Sequence, residues 1–209
     1  MTGHRTLVTC LITDGTLSAE NFEKKKGVLL SKIRTAADAG VSLVQIREKD
    51  ITAGMLFELS RGAVDVVHGS DTLIFINDRA DVAAAAGANG VHLTSTSIGA
   101  DEIRRVFGKR LMIGVSTHSA LEVIRARDNG ADFAVFGPVF PTPGKGEPIG
   151  VEMLATVCKS AGEFPVLALG GISRDNWPLA LSAGAAGFAA IRFFEDFNDA
   201  AELADALRK

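Results

Sequence analysis

Residues 84–93 read Ala-Ala-Ala-Gly-Ala-Asn-Gly-Val-His-Leu: a helix-like run, a glycine, then a short apolar stretch. Glycine just past a helical run reads as a C′ cap, because it accepts the left-handed conformation at little cost. The same order occurs three more times. Ala36-Ala37-Asp38-Ala39-Gly40 precedes Ser42-Leu43-Val44, and Arg127-Asp128-Asn129-Gly130 precedes Asp132-Phe133-Ala134-Val135. Leu181-Ser182-Ala183-Gly184 precedes Phe188-Ala189-Ala190-Ile191. The four glycines lie roughly fifty residues apart, too far for a short solenoid repeat and suited to two strand–helix units per interval.

Apolar runs at 7–12, 73–76, 111–115 and 166–169 supply the strands in between. Amphipathic stretches such as 101–107 and 121–128 separate them. Continuous apolar strands alternating with helices describe a parallel sheet covered on both faces. Eight such units close most naturally into a barrel. The expected fold is therefore α/β, a single (β/α)8 TIM barrel occupying residues 1–209 as one domain, with an open doubly wound sheet as the alternative.

Composition narrows the function without assigning it. The 209 residues are 47% hydrophobic and 22% charged, with a formal net charge of −3. Such a chain exerts no global attraction on nucleic acid or an anionic membrane, so any anion must be held by a local cluster. Residues 1–6 lack the pattern of a secretory signal, and no apolar run is long enough to span a bilayer. Cys10 and Cys158 lie far apart, and Cys10, inside an apolar run, reads as a buried thiol. These features lead us to expect a cytoplasmic protein.

In barrels of this kind the active site is built from the loops after each strand's carboxyl end. Polar residues gather at those positions: Thr13-Asp14, Gln45-Ile46-Arg47-Glu48-Lys49, Asn77-Asp78-Arg79, Thr94-Ser95-Thr96-Ser97, Ser116-Thr117-His118-Ser119, Pro141 to Gly146, Gly170-Gly171 and Ile191-Arg192. Alternate residues of a strand share a face, so Gln45, Arg47 and Lys49 project toward the mouth if the strand persists that far. Arg offers a planar fork for phosphoryl oxygens and Lys a mobile point charge. The bland reading is a solvated strand end in which Glu48 pairs with one of these cations. Gly170-Gly171 and the 142–146 loop allow backbone amides to approach an anion. Asp78 is a candidate Mg²⁺ ligand beside Asn77, or else a partner of Arg79. His118 is a candidate acid–base group, unless the Ser-Thr-His-Ser run only caps the next helix. His4, His68 and His92 show no metal-ligand spacing and read as structural.

These stretches resemble the thiamine phosphate synthase and TenI-like thiazole tautomerase family. The matches run in family order: Val44 to Lys49, Ile76 to Ala83, Gly90 to Leu93, Gly114 to Ser119, Phe136 to Pro143 and Ala168 to Ile172. The resemblance implies a transferase that joins hydroxymethylpyrimidine diphosphate to thiazole phosphate, in a family where homodimers are common. It implies diphosphate contacts at Gln45, Arg47, Lys49, Asn77, Ser116 and Lys145, and a Mg²⁺ ligand at Asp78. Thiazole phosphate would lie against Gly170, Gly171, Ile191 and Arg192, with Thr142 nearby. Three positions depart from the synthase pattern. Ser97 stands where synthases carry a second metal-binding Asp, Gly144 where a Thr is frequent, and Arg192 where Ser is usual. The first two resemble the tautomerase branch, whose catalytic His matches His118. Synthase chemistry is the expectation, with a tautomerase and a non-catalytic precursor-binding barrel as alternatives.

Overall fold

The computed structural model describes residues 7–195, 197 and 199–207. Residues 1–6, which bear the expectation about an export signal and include His4, lie outside the described residues. Eight strands are present: β1 (Val8–Ile12), β2 (Leu43–Ile46), β3 (Leu73–Asn77), β4 (Gly90–Leu93), β5 (Met112–Thr117), β6 (Phe133–Phe136), β7 (Val166–Leu169) and β8 (Gly187–Ala190). They pair in parallel and in chain order, and β8 pairs back with β1 through Val8↔Gly187 and Cys10↔Ala189. That last pairing closes the barrel and rules out the open sheet. Each strand is followed by a helix: α1 (Phe22–Asp38), α2 (Ala53–Val66), α3 (Ala80–Ala86), α4 (Ala100–Phe107), α5 (Ala120–Asp128), α6 (Val151–Ala161), α7 (Trp177–Ser182) and α8 (Ala200–Leu207).

The four glycines that set the repeat end helices as expected. Gly40, Gly87, Gly130 and Gly184 have φ of 83°, 75°, 85° and 95°. Each sits in a paired-bond cap: Val41 N–H donates to Ala36 O while Gly40 N–H donates to Ala37 O, both at 3.0 Å. The same bonds recur from Ala88, Ala131 and Ala185, which follow the other three glycines. This is the Schellman arrangement, in which a left-handed residue lets the chain recover the helix's last free carbonyls.

Strand periodicity sorts the side chains into two cores. Outward residues such as Val44, Ile74, Val91, Ile113, Ala134 and Ala168 pack beneath the helices. Inward residues Cys10, Ile12, Leu43, Phe75, Phe133, Val135, Leu167 and Ala189 fill the barrel. Phe75 and Phe133 meet edge to face, with centroids 5.4 Å apart at 75°. Their rings occupy space that Gly90 and Gly114 leave open, since a Cβ at either would come within 2.4 Å of a ring carbon. The barrel is thus plugged below its mouth. Burial pushes the Cys10 thiol up to about 12, so it stays protonated. Among the described residues no helix is long and apolar enough to cross a membrane.

Candidate active site

The layer above the aromatic plug is polar on one side only. Gln45, Asn77, His92 and Ser116 share the inward face of β2, β3, β4 and β5 with Leu43, Phe75, Gly90 and Gly114, two residues earlier on each strand. The corresponding inward residues of β6, β7, β8 and β1 are Val135, Leu167, Ala189 and Ile12. Gln45 is 2% exposed, yet its Nε2 has no hydrogen-bond partner, and the buried Asn77 Oδ1 has none either. Buried amide atoms without partners are uncommon and call for an explanation.

Arg47 lies one residue beyond the end of β2 and is held from below. Its N–H donates to Thr13 Oγ1 at 2.9 Å, and Gly15 packs against its carbonyl. Glu48 does not pair with a cation, which corrects the bland reading of this strand end. Glu48 is 6% exposed, and its carboxylate accepts Gly15 N–H at 3.2 Å and Leu17 N–H at 2.9 Å. It therefore fastens the β1–α1 loop beside Arg47. Lys49 is exposed, because β2 ends at Ile46 and alternation does not carry that far.

Asp78 has φ of 64°, the one positive φ of a non-glycine residue among the described residues. Its N–H donates to His92 O at 2.8 Å. Asp tolerates this left-handed conformation better than most residues, and such outliers collect at functional sites. Arg79 forks onto Asp81 at 2.8 and 2.6 Å, leaving the Asp78 carboxylate on the exposed rim. Ser97 is engaged within its own loop: its Oγ accepts Thr94 N–H at 2.7 Å and lies 3.1 Å from Thr94 Oγ1. Among the described residues no three His, Cys, Asp or Glu side chains gather to hold a metal.

The Ser-Thr-His-Ser run divides its labour. Ser119 caps α5 by accepting Glu122 N–H at 3.3 Å, and Thr117 Oγ1 donates to Val135 O at 3.2 Å. His118 Nδ1 lies 2.6 Å from Gly137 O, a carbonyl that only accepts, so Nδ1 carries a hydrogen there. Ser116 points inward, with its Oγ 2.8 Å from His92 Nε2. His92 is 3% exposed; burial, reinforced by the Arg47 guanidinium, holds its pKa down at about 4. It is a neutral imidazole at the floor of the mouth.

Across the mouth, Thr142, Gly170, Gly171, Ile191 and Arg192 line one cavity of about 290 Å³. Gly171 has φ of 61°, and a Cβ there would lie 2.4 Å from Pro141 O; one at Gly170 would lie 2.6 Å from Pro138 Cα. Both glycines are thus required by the 138–141 backbone folded over the end of β7. The Gly171 N–H donates to no acceptor among the described residues. Lys145 sits on the exposed 141–147 loop, after the Gly144 turn. A larger cavity of about 570 Å³ lies between α1 and residues Phe194, Glu195 and Phe197; of the strand-end residues named from the sequence, Thr13, Asp14 and Ile191 reach it.

Sequence reasoning reads His92 as structural, and the structure buries it against Ser116; it does not foresee Glu48 holding the Gly15 and Leu17 N–H groups. For His92 the available signal was a polar residue inside an apolar run, in phase with Gln45 and Asn77. A closed (β/α)8 barrel whose polar half-mouth faces a glycine-lined cavity defines a barrel-enzyme scaffold. The family model for thiamine monophosphate synthase matches residues 10–194. A putative thiamine-phosphate synthase of Geobacter sulfurreducens is 44% identical over 182 residues, covering 86% of this chain and 85% of that one. The thiamine-phosphate synthase of Chlorobium limicola is 37% identical over 87% of this chain and 83% of its own. The structure of thiamine phosphate pyrophosphorylase from Pyrococcus furiosus superposes with a TM-score of 0.82 at 30% identity, covering 97% of this chain and 94% of that one. This chain belongs to the thiamine monophosphate synthase family and is a transferase of thiamine biosynthesis. Neither the tautomerase nor the non-catalytic alternative is favoured by these relatives.

Proposed function

We propose that the chain condenses hydroxymethylpyrimidine diphosphate with thiazole phosphate, releasing diphosphate and forming thiamine phosphate in the cytoplasm. The observation that carries this reading is the pair of orphaned buried atoms, Gln45 Nε2 and Asn77 Oδ1, facing a mouth whose far side is a separate glycine-lined cavity. Each such orphan costs about 1–3 kcal/mol in the free protein, a penalty that a bound polar substrate removes. Two anionic substrates need two cradles, whereas a single monophosphate ligand needs one.

In this reading Gln45, Asn77 and Ser116 bind the pyrimidine diphosphate, and Arg47, Lys49 and Lys145 offset its charge. Thiazole phosphate lies against Gly170, Gly171, Ile191 and Arg192, beside Thr142. The bond from the pyrimidine methylene carbon to the diphosphate oxygen breaks, with its electron pair leaving on diphosphate. The thiazole nitrogen then donates its lone pair to the resulting cation. The protein's task is to neutralise the leaving group and align two rings. His118, tied to Gly137, orders the β6 loop over the second cradle. Asp78, whose carboxylate is exposed at the end of β3, would be this chain's ligand to Mg²⁺, with the remaining ligands drawn from diphosphate and water. Bound there, it would screen the charge of the departing diphosphate.

Incubation with both substrates and Mg²⁺ is expected to yield thiamine phosphate and diphosphate. No product, under conditions in which a known synthase turns over, refutes the proposal. Exchange of a thiazole proton without metal, lost in His118→Ala, would instead establish the tautomerase.

A further inference from the structure

Beneath the anion-facing side chains lies an imidazole to which the condensation assigns no part. His92 projects into the barrel from β4, and its Nε2 is 2.8 Å from Ser116 Oγ. The ring packs against Phe133, centroids 6.2 Å apart, and its register partner on β5 is Gly114. A Cβ at Gly114 would stand 2.8 Å from His92 Nδ1, so the missing side chain is what lets the imidazole lie flat against β5. Its backbone is fixed as well, between Asn77 on one side and Gly114 on the other, with its carbonyl accepting Asp78 N–H. So confined, and 3% exposed, the ring meets an incoming ligand through Ser116 and not directly.

The direction of that contact is set by ligand chemistry. A diphosphate oxygen only accepts hydrogen bonds, so Ser116 must give it the hydroxyl hydrogen. The Ser116 oxygen is then left as an acceptor, and His92 Nε2 is the group in place to donate to it. A neutral imidazole can carry its hydrogen on either nitrogen, and the hydrogen bond it makes selects which. We propose that His92 is a positioning residue for diphosphate: as the Nε2–H tautomer it donates to Ser116 Oγ and so turns the Ser116 O–H toward the anion. No proton changes owner in this step; the imidazole keeps its hydrogen and only the hydroxyl rotates. The inference rests on the diphosphate assignment made above.

Calorimetric titration of metal-free inorganic diphosphate tests it, using wild type, Ser116→Ala, His92→Leu, His92→Gln and the Ser116→Ala/His92→Leu double variant. Ser116→Ala and His92→Leu are each expected to weaken binding about tenfold, the loss of one charge-assisted hydrogen bond. The double variant should bind no more weakly than Ser116→Ala, because both changes abolish the same directed hydroxyl. His92→Gln, which restores an amide N–H donor, should stay within about threefold of wild type. Affinity for thiazole phosphate, held across the mouth, should not move in any of them. Long-range ¹H–¹⁵N spectra of the wild-type complex should show Nε2 protonated and Nδ1 bare.

Additive losses in the double variant, wild-type affinity in His92→Leu, or an Nδ1–H tautomer in the complex would each overturn the proposal. Should His92→Leu fail to fold, the tautomer and the His92→Gln affinity decide the matter alone. A wild type that binds no diphosphate removes the diphosphate assignment and this proposal with it. Tight wild-type binding with additive losses removes only the role of His92.

Discussion

Replacing Gly171 by Ala separates two reasons for a glycine that are normally confounded. The first is torsional: φ is 61°, where a Cβ costs about 1–2 kcal/mol. The second is steric, because that Cβ would lie 2.4 Å from Pro141 O and 2.9 Å from the Phe140 carbonyl carbon. Both neighbours are backbone, so relief requires the 140–141 segment to move, an overpacking cost of about 1–3 kcal/mol. The sum, about 2–5 kcal/mol, corresponds to a fall in Tm of about 4–20 °C for a chain of this size. Gly144→Ala supplies the control, since φ there is 74° but nothing lies within 4 Å of the added Cβ. It should lose only the torsional part, about 2–8 °C. Calorimetric scans of the two variants measure the difference. The displaced segment also borders the glycine-lined cavity, so Gly171→Ala should weaken thiazole phosphate binding by about tenfold or more, as misplacement on the ångström scale does. Equal losses of stability in the two variants would refute the argument, for then the folded-over 138–141 backbone would not be what Gly171 serves.

Glu48→Gln should cost about 1.5–3 kcal/mol, because it replaces a carboxylate receiving two backbone N–H groups with an amide that presents one oxygen and an opposing NH₂. Urea unfolding monitors this, and an unchanged midpoint would show that the β1–α1 loop is fastened otherwise. Arg47→Ala should weaken diphosphate binding about ten- to a hundredfold, the range for a lost bidentate cation, with the loss shrinking as salt rises. Equal calorimetric affinity for wild type and variant would remove Arg47 from the site. Ser97→Asp should tighten metal binding in the presence of diphosphate by about tenfold, since a second carboxylate raises the ligand charge. Mn²⁺ titration followed by electron paramagnetic resonance reads this directly, and an unaltered affinity would place Ser97 outside the metal's reach.

The barrel was legible because its signals are local. A C′ glycine needs only its own φ, and all four glycines of the repeat adopt the left-handed conformation. An apolar run needs only its length, and residues 166–169 form β7 without adjustment. The site was legible as far as alternation reaches: Gln45 follows from period two, but Arg47 and Lys49 lie beyond the strand, which ends at Ile46. What remained hidden depends on partners distant in sequence. The Ser116–His92 contact requires the β4–β5 register, which aligns His92 with Gly114 and cannot be read from either strand alone. Glu48 reads as a surface charge until the β1–α1 loop brings Gly15 and Leu17 onto it. Gly170-Gly171 suggested an anion cradle, whereas the immediate demand for glycine comes from the overlying 138–141 backbone. That demand and an anion cradle are compatible, because folding the loop over β7 is what encloses the cavity.

The division of the mouth into polar and apolar halves gives the two proposed substrates chemically different surroundings. Closure turns every second residue of each strand inward, and the stagger of the strands sets Gln45 beside Phe75 and His92 beside Gly114. Polar Gln45, Asn77, His92 and Ser116 sit side by side on four consecutive strands, so each can be satisfied only by a neighbour or by something entering from above. His92 and Ser116 satisfy one another; Gln45 Nε2 and Asn77 Oδ1 do not. On the apolar half, Val135, Leu167, Ala189 and Ile12 offer no hydrogen bonds from their side chains, so polar recognition there must come from backbone amides and from Arg192 at the rim. In the function proposed above, the acceptor-rich diphosphate falls to the first half and the ring carrying a single phosphate to the second. Exchanging Leu167 for a polar residue would therefore blur the boundary without opening the barrel.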